Sequence, residues 1–171
     1  MEKNIPEHID PFRYAEQDLR LNGTVKVADM ARLCAHLSQT DTIAAAELHF
    51  GVDEQGVTFV NGQVKAALVL HCQRCMQPYS CEIMSDFALG IVKTLDEANA
   101  LPAQYEPAVT IEGQLALREL IEDELILNLP IIPRHEPEVC QVKLPLAGSG
   151  WKEGKSNNPF QVLASLKQKS S

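Results

Sequence analysis

The chain has 171 residues, 45% of them apolar, which is enough for one core of ordinary size without a disulfide framework. Its formal net charge of −8 gives a whole-molecule field that repels polyanions, so any contact with RNA has to be local or go through another protein. No apolar run approaches the roughly 18 residues that cross a bilayer, and the first residues lack a basic stretch followed by an apolar one, so a soluble, cytoplasmic protein with no membrane partner is expected.

In chain order, Ile5 to Arg20 carries Pro6 and Pro11 with mixed polarity and reads as an extended arm on the domain surface. Between Val25 and Leu37, the residues Val27, Met30, Leu33, Cys34 and Leu37 recur at steps of three and four, which predicts a helix with one apolar side. From Ala44 the period changes to two, and strands are expected over 44–50, 57–60 and 63–72. Asp53 to Gly56 supplies one turn, and Asn61-Gly62 a hairpin turn of the kind that needs positive φ. Residues 79–92 continue as a strand with Tyr79, Cys81, Ile83, Phe87 and Leu89 on one face. A short helical turn and a loop follow over 96–106. Leu115 to Leu129 then reads as a helix with Leu117, Leu120, Ile121, Glu124, Leu125 and Leu127 inward, ended by Pro130.

Four prolines between 130 and 145 predict a rigid irregular loop around His135 and Cys140. Small and polar residues dominate from Ala147 to Asn158, and Pro159 to Lys169 reads as a short amphipathic helix. The expected architecture is α+β: an antiparallel β-meander or partly open barrel with two or three helices packed on it. Residues 1–146 would form the single domain and 147–171 a flexible basic tail.

Cys72-Gln73-Arg74-Cys75 is the sharpest chemical feature, because two thiolates three apart in a tight turn can both reach one Zn²⁺ at about 2.3 Å. A closed structural site needs two more ligands, and His135 and Cys140 complete a Cys₃His set. Cys81 competes for the third place, but strand alternation points it at the core. Reduced structural thiols and a redox pair are the other readings. The redox pair is disfavoured because Met76-Gln77-Pro78-Tyr79 leads into a strand, whereas a redox CxxC opens a helix that lowers the thiol pKa. Cys34 reads as a small core residue, and His8, His36, His49 and His71 as histidines without a partner.

Glu119, Glu122 and Asp123 share one side of a helix, the pattern of a solvated face or of a docking surface for a basic partner. Glu124 faces inward and is a candidate partner for Arg74 or Arg134. The tail is the only basic region: Lys152, Lys155, Lys167 and Lys169 against Glu153 give it a local charge near +3. Such a segment can neutralise two or three phosphates. No P-loop, GxSxG, GxGxxG or HExxH is present, so an enzyme is not expected.

Three stretches together resemble the bacterial YceD proteins, which have plastid relatives. They are Cys72-Gln73-Arg74-Cys75 with Pro78 and Tyr79; Leu101-Pro102 and Tyr105-Glu106-Pro107 leading to the acidic helix and Leu129-Pro130; and Asn158-Pro159-Phe160 with Val162 to Lys167. Many members of that family place a second cysteine pair after LPxxP, where this chain has His135 and then Cys140. The resemblance implies a non-enzymatic role in the synthesis, processing or stability of large-subunit (23S) ribosomal RNA. The partner would be pre-ribosomal RNA or a large-subunit ribosomal protein, and the alternative is an adaptor for an RNA-processing enzyme that never touches RNA.

Overall fold

The computed structural model describes residues 4–140. Among them, in chain order, lie β1 (His8–Ile9), α1 (Pro11–Glu16), β2 (Arg20–Lys26), a 3₁₀ turn (Val27–Asp29), α2 (Ala31–Cys34), β3 (Leu37–Gln39), β4 (Ile43–Val52), β5 (Thr58–His71) and β6 (Pro78–Val92). α3 (Leu95–Asn99), β7 (Glu106–Val109), β8 (Leu115–Ala116) and α4 (Leu117–Leu127) follow. The expected tail over 147–171, with its amphipathic helix, lies outside the described residues.

The main sheet runs β2-β4-β5-β6-β7, antiparallel except for the last pair, and β3 pairs with the far end of β5. It is a meander that does not close. β7 lies parallel to β6 and is reached through α3, which Thr94 caps by accepting from the Glu97 N–H. Alternation puts Ala44, Ala46, Leu48 and Phe50 of β4 and Val60, Val64, Leu68 and Leu70 of β5 on the buried face, while Glu47, Lys65 and Glu82 face water. On the apolar face lies α4, which presents Leu117, Leu120, Ile121 and Leu125.

Several sequence expectations need correction. The presumed arm contains a helix, because the Asp10 carboxylate accepts from the Phe12 and Arg13 N–H groups at 3.1 Å each and Pro11 suits the first helical turn. The helix expected over 25–37 is instead a strand end, a 3₁₀ turn, one α-turn and a short strand. Its three-and-four spacing is still real, since Val27, Met30 and Leu33 are fully buried. Two tight turns in succession reproduce the period of a helix.

Asn61-Gly62 forms no hairpin, for β5 passes straight through it. Gly62 is needed for space rather than for a turn: a Cβ there would lie 2.2 Å from the Phe87 ring and 2.8 Å from Leu48 on the neighbouring strands. The actual β4–β5 turn is the other one, where the Asp53 carboxylate accepts from Gln55 and Val57 and Gly56 takes φ +82°. Leu127, expected inward, is 74% exposed: it lies at the margin of the inward stripe of α4, and Leu125 in the same turn, on the stripe, is fully buried.

Candidate metal centre and the acidic helix

β5 and β6 are joined at their far end by residues 72–77, and the Cys72–Cys75 pair sits in that knuckle. The Met76 N–H donates to the Cys72 carbonyl and the Cys72 N–H to the Gln77 carbonyl, with Met76 at φ +61°. Two thiols of one short turn are thereby aimed to the same side. The proline-rich segment reaches the knuckle from the end of α4: the Gln73 N–H donates to the carbonyl of buried Pro133 at 2.9 Å. Beyond it, the Val139 and Cys140 N–H groups both donate to the Glu136 carbonyl, a single turn that swings Cys140 back toward Cys72.

The ligand atoms of Cys72, Cys75, His135 and Cys140 all lie within 4.8 Å of one another. Cys72 Sγ is 3.8 Å from Cys140 Sγ, and Cys75 Sγ is 3.4 Å from His135 Nδ1. A tetrahedral metal with sulphur ligands at about 2.3 Å has S···S edges of about 3.8 Å and S···N edges of about 3.6 Å, so both pairs fit one ion. The tautomer of His135 follows from its outer bond. Nε2 lies 2.9 Å from the Pro78 carbonyl, which can only accept, so Nε2 carries the proton and Nδ1 offers its lone pair to the cluster. Tyr79 packs edge-on against the same ring at 5.5 Å. Pro78 and Tyr79 therefore orient the histidine, a role that spacing alone did not reveal; a Pro-aromatic pair directly after the knuckle is the signal that could have shown it.

The thiols are unlike one another. Burial pushes the Cys72 thiol up, but the backbone groups of Cys75, His135 and Arg74 outweigh it and bring the thiol down to about 5. Burial, then the side chains of Cys75 and Cys72, push Cys140 up to about 11. Cys72 and Cys140 are both buried, so their sulphurs meet away from water. Cys81 stands apart on the core face opposite Leu68, where burial raises its thiol, and Cys34 packs half-buried against the core with Sγ 3.1 Å from the Val27 carbonyl.

The carboxylates of α4 separate. Glu119 and Asp123 are exposed, as the helical count predicts. Glu122 is not on that outer face. It is 5% exposed, and its Oε1 accepts from the Arg32 and Leu33 N–H groups at 2.7 and 2.9 Å while Oε2 pairs with the Arg32 guanidinium at 3.1 Å. The start of α2 has no cap of its own, and Glu122 supplies one from 90 residues away. Asp123 closes on the same guanidinium, and the two acids, Asp123 first, hold Arg32 further up its already high range.

Glu124 pairs with neither Arg74 nor Arg134; its Oε2 accepts from Ser85 Oγ at 2.7 Å. His49 also gains a partner from tertiary structure, Asp18 at 2.7 Å. The four lysines expected to form a basic contact surface, Lys152, Lys155, Lys167 and Lys169, lie outside the described residues. No helix among the described residues is long and apolar enough to cross a membrane.

Residues 60–167 match the family model described as large ribosomal RNA subunit accumulation protein YceD. The chain is also similar to the large ribosomal RNA subunit accumulation protein YceD of Haemophilus influenzae, with 36% identity over 96% of this chain and 97% of that one. No solved structure matches it.

Proposed function

Because the chain belongs to the YceD family, we propose that it is a cytoplasmic, non-enzymatic ribosome-biogenesis factor needed for the synthesis, processing or stability of large-subunit (23S) ribosomal RNA. The observation that carries this is similarity along almost the whole length of a relative bearing that name. Depletion should lower mature large-subunit RNA, and immunoprecipitation should recover large-subunit precursors; normal RNA after depletion would overturn the proposal.

The four-residue cluster is read as a structural Zn²⁺ site held by Cys72, Cys75, His135 and Cys140. Three sulphurs and one nitrogen within 4.8 Å of one another favour zinc over the harder ions, which take oxygen ligands. A bound ion would supply a cross-link between the β5–β6 knuckle and the proline-rich segment. With four protein ligands it has no open position for water, which supports a scaffold role over hydrolysis. Metal analysis of untagged protein should find about one zinc per chain, lost in Cys72→Ser and Cys140→Ser.

The partner is pre-ribosomal RNA or a basic large-subunit protein, and the charge of −8 favours the protein. An adaptor that recruits an RNA-processing enzyme is the second reading on the same ground. Filter binding of RNA at two salt concentrations separates them, since direct phosphate contact weakens steeply with salt.

A further inference from the structure

We propose that the trough between β7 and α4 docks an extended, lysine- or arginine-rich segment of a partner protein. This rests on the proposed function and deepens it by naming where a basic partner binds.

Three observations converge on the trough. The first is an open sheet edge. Among the described residues β7 ends the main sheet, and the Thr110 N–H donates to the Val92 carbonyl at 2.9 Å. In a parallel ladder alternate residues bond to the neighbour, so Val109 turns its N–H and carbonyl away from β6, and Pro107, which has no N–H to satisfy, occupies the equivalent outward position. An incoming strand finds one donor and two acceptors there, in the manner of strand addition.

The second is shape. A hollow of about 690 Å³ runs beside this edge with Val109, Leu89, Leu115 and Leu120 among its apolar walls, and a second hollow of about 400 Å³ continues the groove, sharing Glu106 and Glu124 with the first. The third is charge. Glu106, Glu112, Glu119 and Glu124 line the larger hollow, and no lysine or arginine does so among the described residues. Glu124 is the decisive one. It is only 9% exposed, lies where both hollows meet, and its Oε2 is used by Ser85, while Oε1 has no hydrogen-bond partner among the described residues. A carboxylate oxygen open to a groove whose lining holds further carboxylates and, among the described residues, no lysine or arginine fits the ammonium or guanidinium of an entering side chain. The same field repels RNA, so a polyanion is the wrong occupant.

The test uses the full chain and a fluorescein-labelled peptide of about twelve residues alternating lysine with valine, a length that spans such an edge. Fluorescence anisotropy should show binding at about 50 mM salt that weakens several-fold at about 200 mM. The Glu106→Gln/Glu124→Gln double variant should lose about tenfold in affinity. Val109→Pro, which deletes the outward N–H and also replaces an apolar wall residue, should lose at least about threefold, and Glu47→Gln on the wet face of β4 should lose nothing. Circular dichroism checks folding, and Glu112→Gln/Glu119→Gln, both exposed, replaces the double variant if that one unfolds.

No peptide binding at low salt, unchanged affinity in the folded trough variants, or an RNA oligonucleotide whose binding those variants weaken instead would each overturn the proposal. Failure here is separable from failure of the functional reading. If the wild-type chain restores large-subunit RNA in depleted cells while the peptide ignores the trough, only the trough falls. If the peptide binds the trough but RNA levels never depend on the chain, only the functional reading falls.

Discussion

The cysteine knuckle and the acidic helix were both marked by residue type and spacing, yet the structure treats them differently. At the knuckle, all four residues singled out by chemistry come within 4.8 Å of one another. On α4, four neighbouring carboxylates go to four different fates: Glu119 to solvent, Glu122 to the α2 amides, Asp123 to Arg32 and Glu124 to Ser85. Thiols and imidazoles that share a metal select each other, because few other groups satisfy the same geometry. A carboxylate is satisfied by any donor, so its role depends on which donor the fold delivers.

The largest effect should separate these two regions most clearly. Cys72→Ser, Cys140→Ser or a strong chelator should lower the melting temperature by more than about 5 °C, because metal binding energy is folding energy. Calorimetry checks this, and chelator should then do nothing further to the serine variants. Equal melting curves with and without chelator would reduce the knuckle to ordinary buried thiols.

Glu122→Ala should cost about 3 kcal/mol, since it leaves two amides and a guanidinium without their carboxylate at a site where the acid is almost fully covered. Urea denaturation measures it, and Glu119→Ala next door on the exposed face should stay within about 0.5 kcal/mol. A similar cost for both would return α4 to the uniform acidic face its sequence suggests.

A smaller loss, about 2 kcal/mol, is expected from Gly62→Ala, because the added Cβ meets Phe87 and Leu48 and both must shift. Gly56→Ala at the real turn should lose about 1 kcal/mol, through φ alone, as nothing lies within 4 Å of its Cβ position. The reverse order would mean that Asn61-Gly62 is the conformational turn after all. Leu127→Gln should be the mildest change, within about 0.5 kcal/mol, because that side chain is already in water.

Much of the fold was legible where a strand or helix is long enough for its period to speak. Alternation over 44–50 and 79–87 and the inward set Leu117, Leu120, Ile121 and Leu125 hold, whereas Leu89 to Val92 are buried on both faces of the strand. Short elements were misread: six residues opened by Asp10-Pro11 passed for an arm, and a 3₁₀ turn followed by an α-turn imitated a helix. Asn61-Gly62 misled for another reason, since glycine serves close packing as readily as a positive φ, and only the neighbour across the strand tells which.

From the residues alone came the class of the fold, the buried face of each long element and the four residues of the cluster. Periodicity and metal-ligand chemistry are properties of the chain itself. What only the tertiary structure decided were the pairings between distant positions: Glu122 with the start of α2, Glu124 with Ser85, His135 held by Pro78 and Tyr79, and an edge strand β7, unpaired on its outer side among the described residues, beside a groove of carboxylates. A polar group's role is set by the partner that burial brings to it, and that partner is written nowhere near it in the sequence.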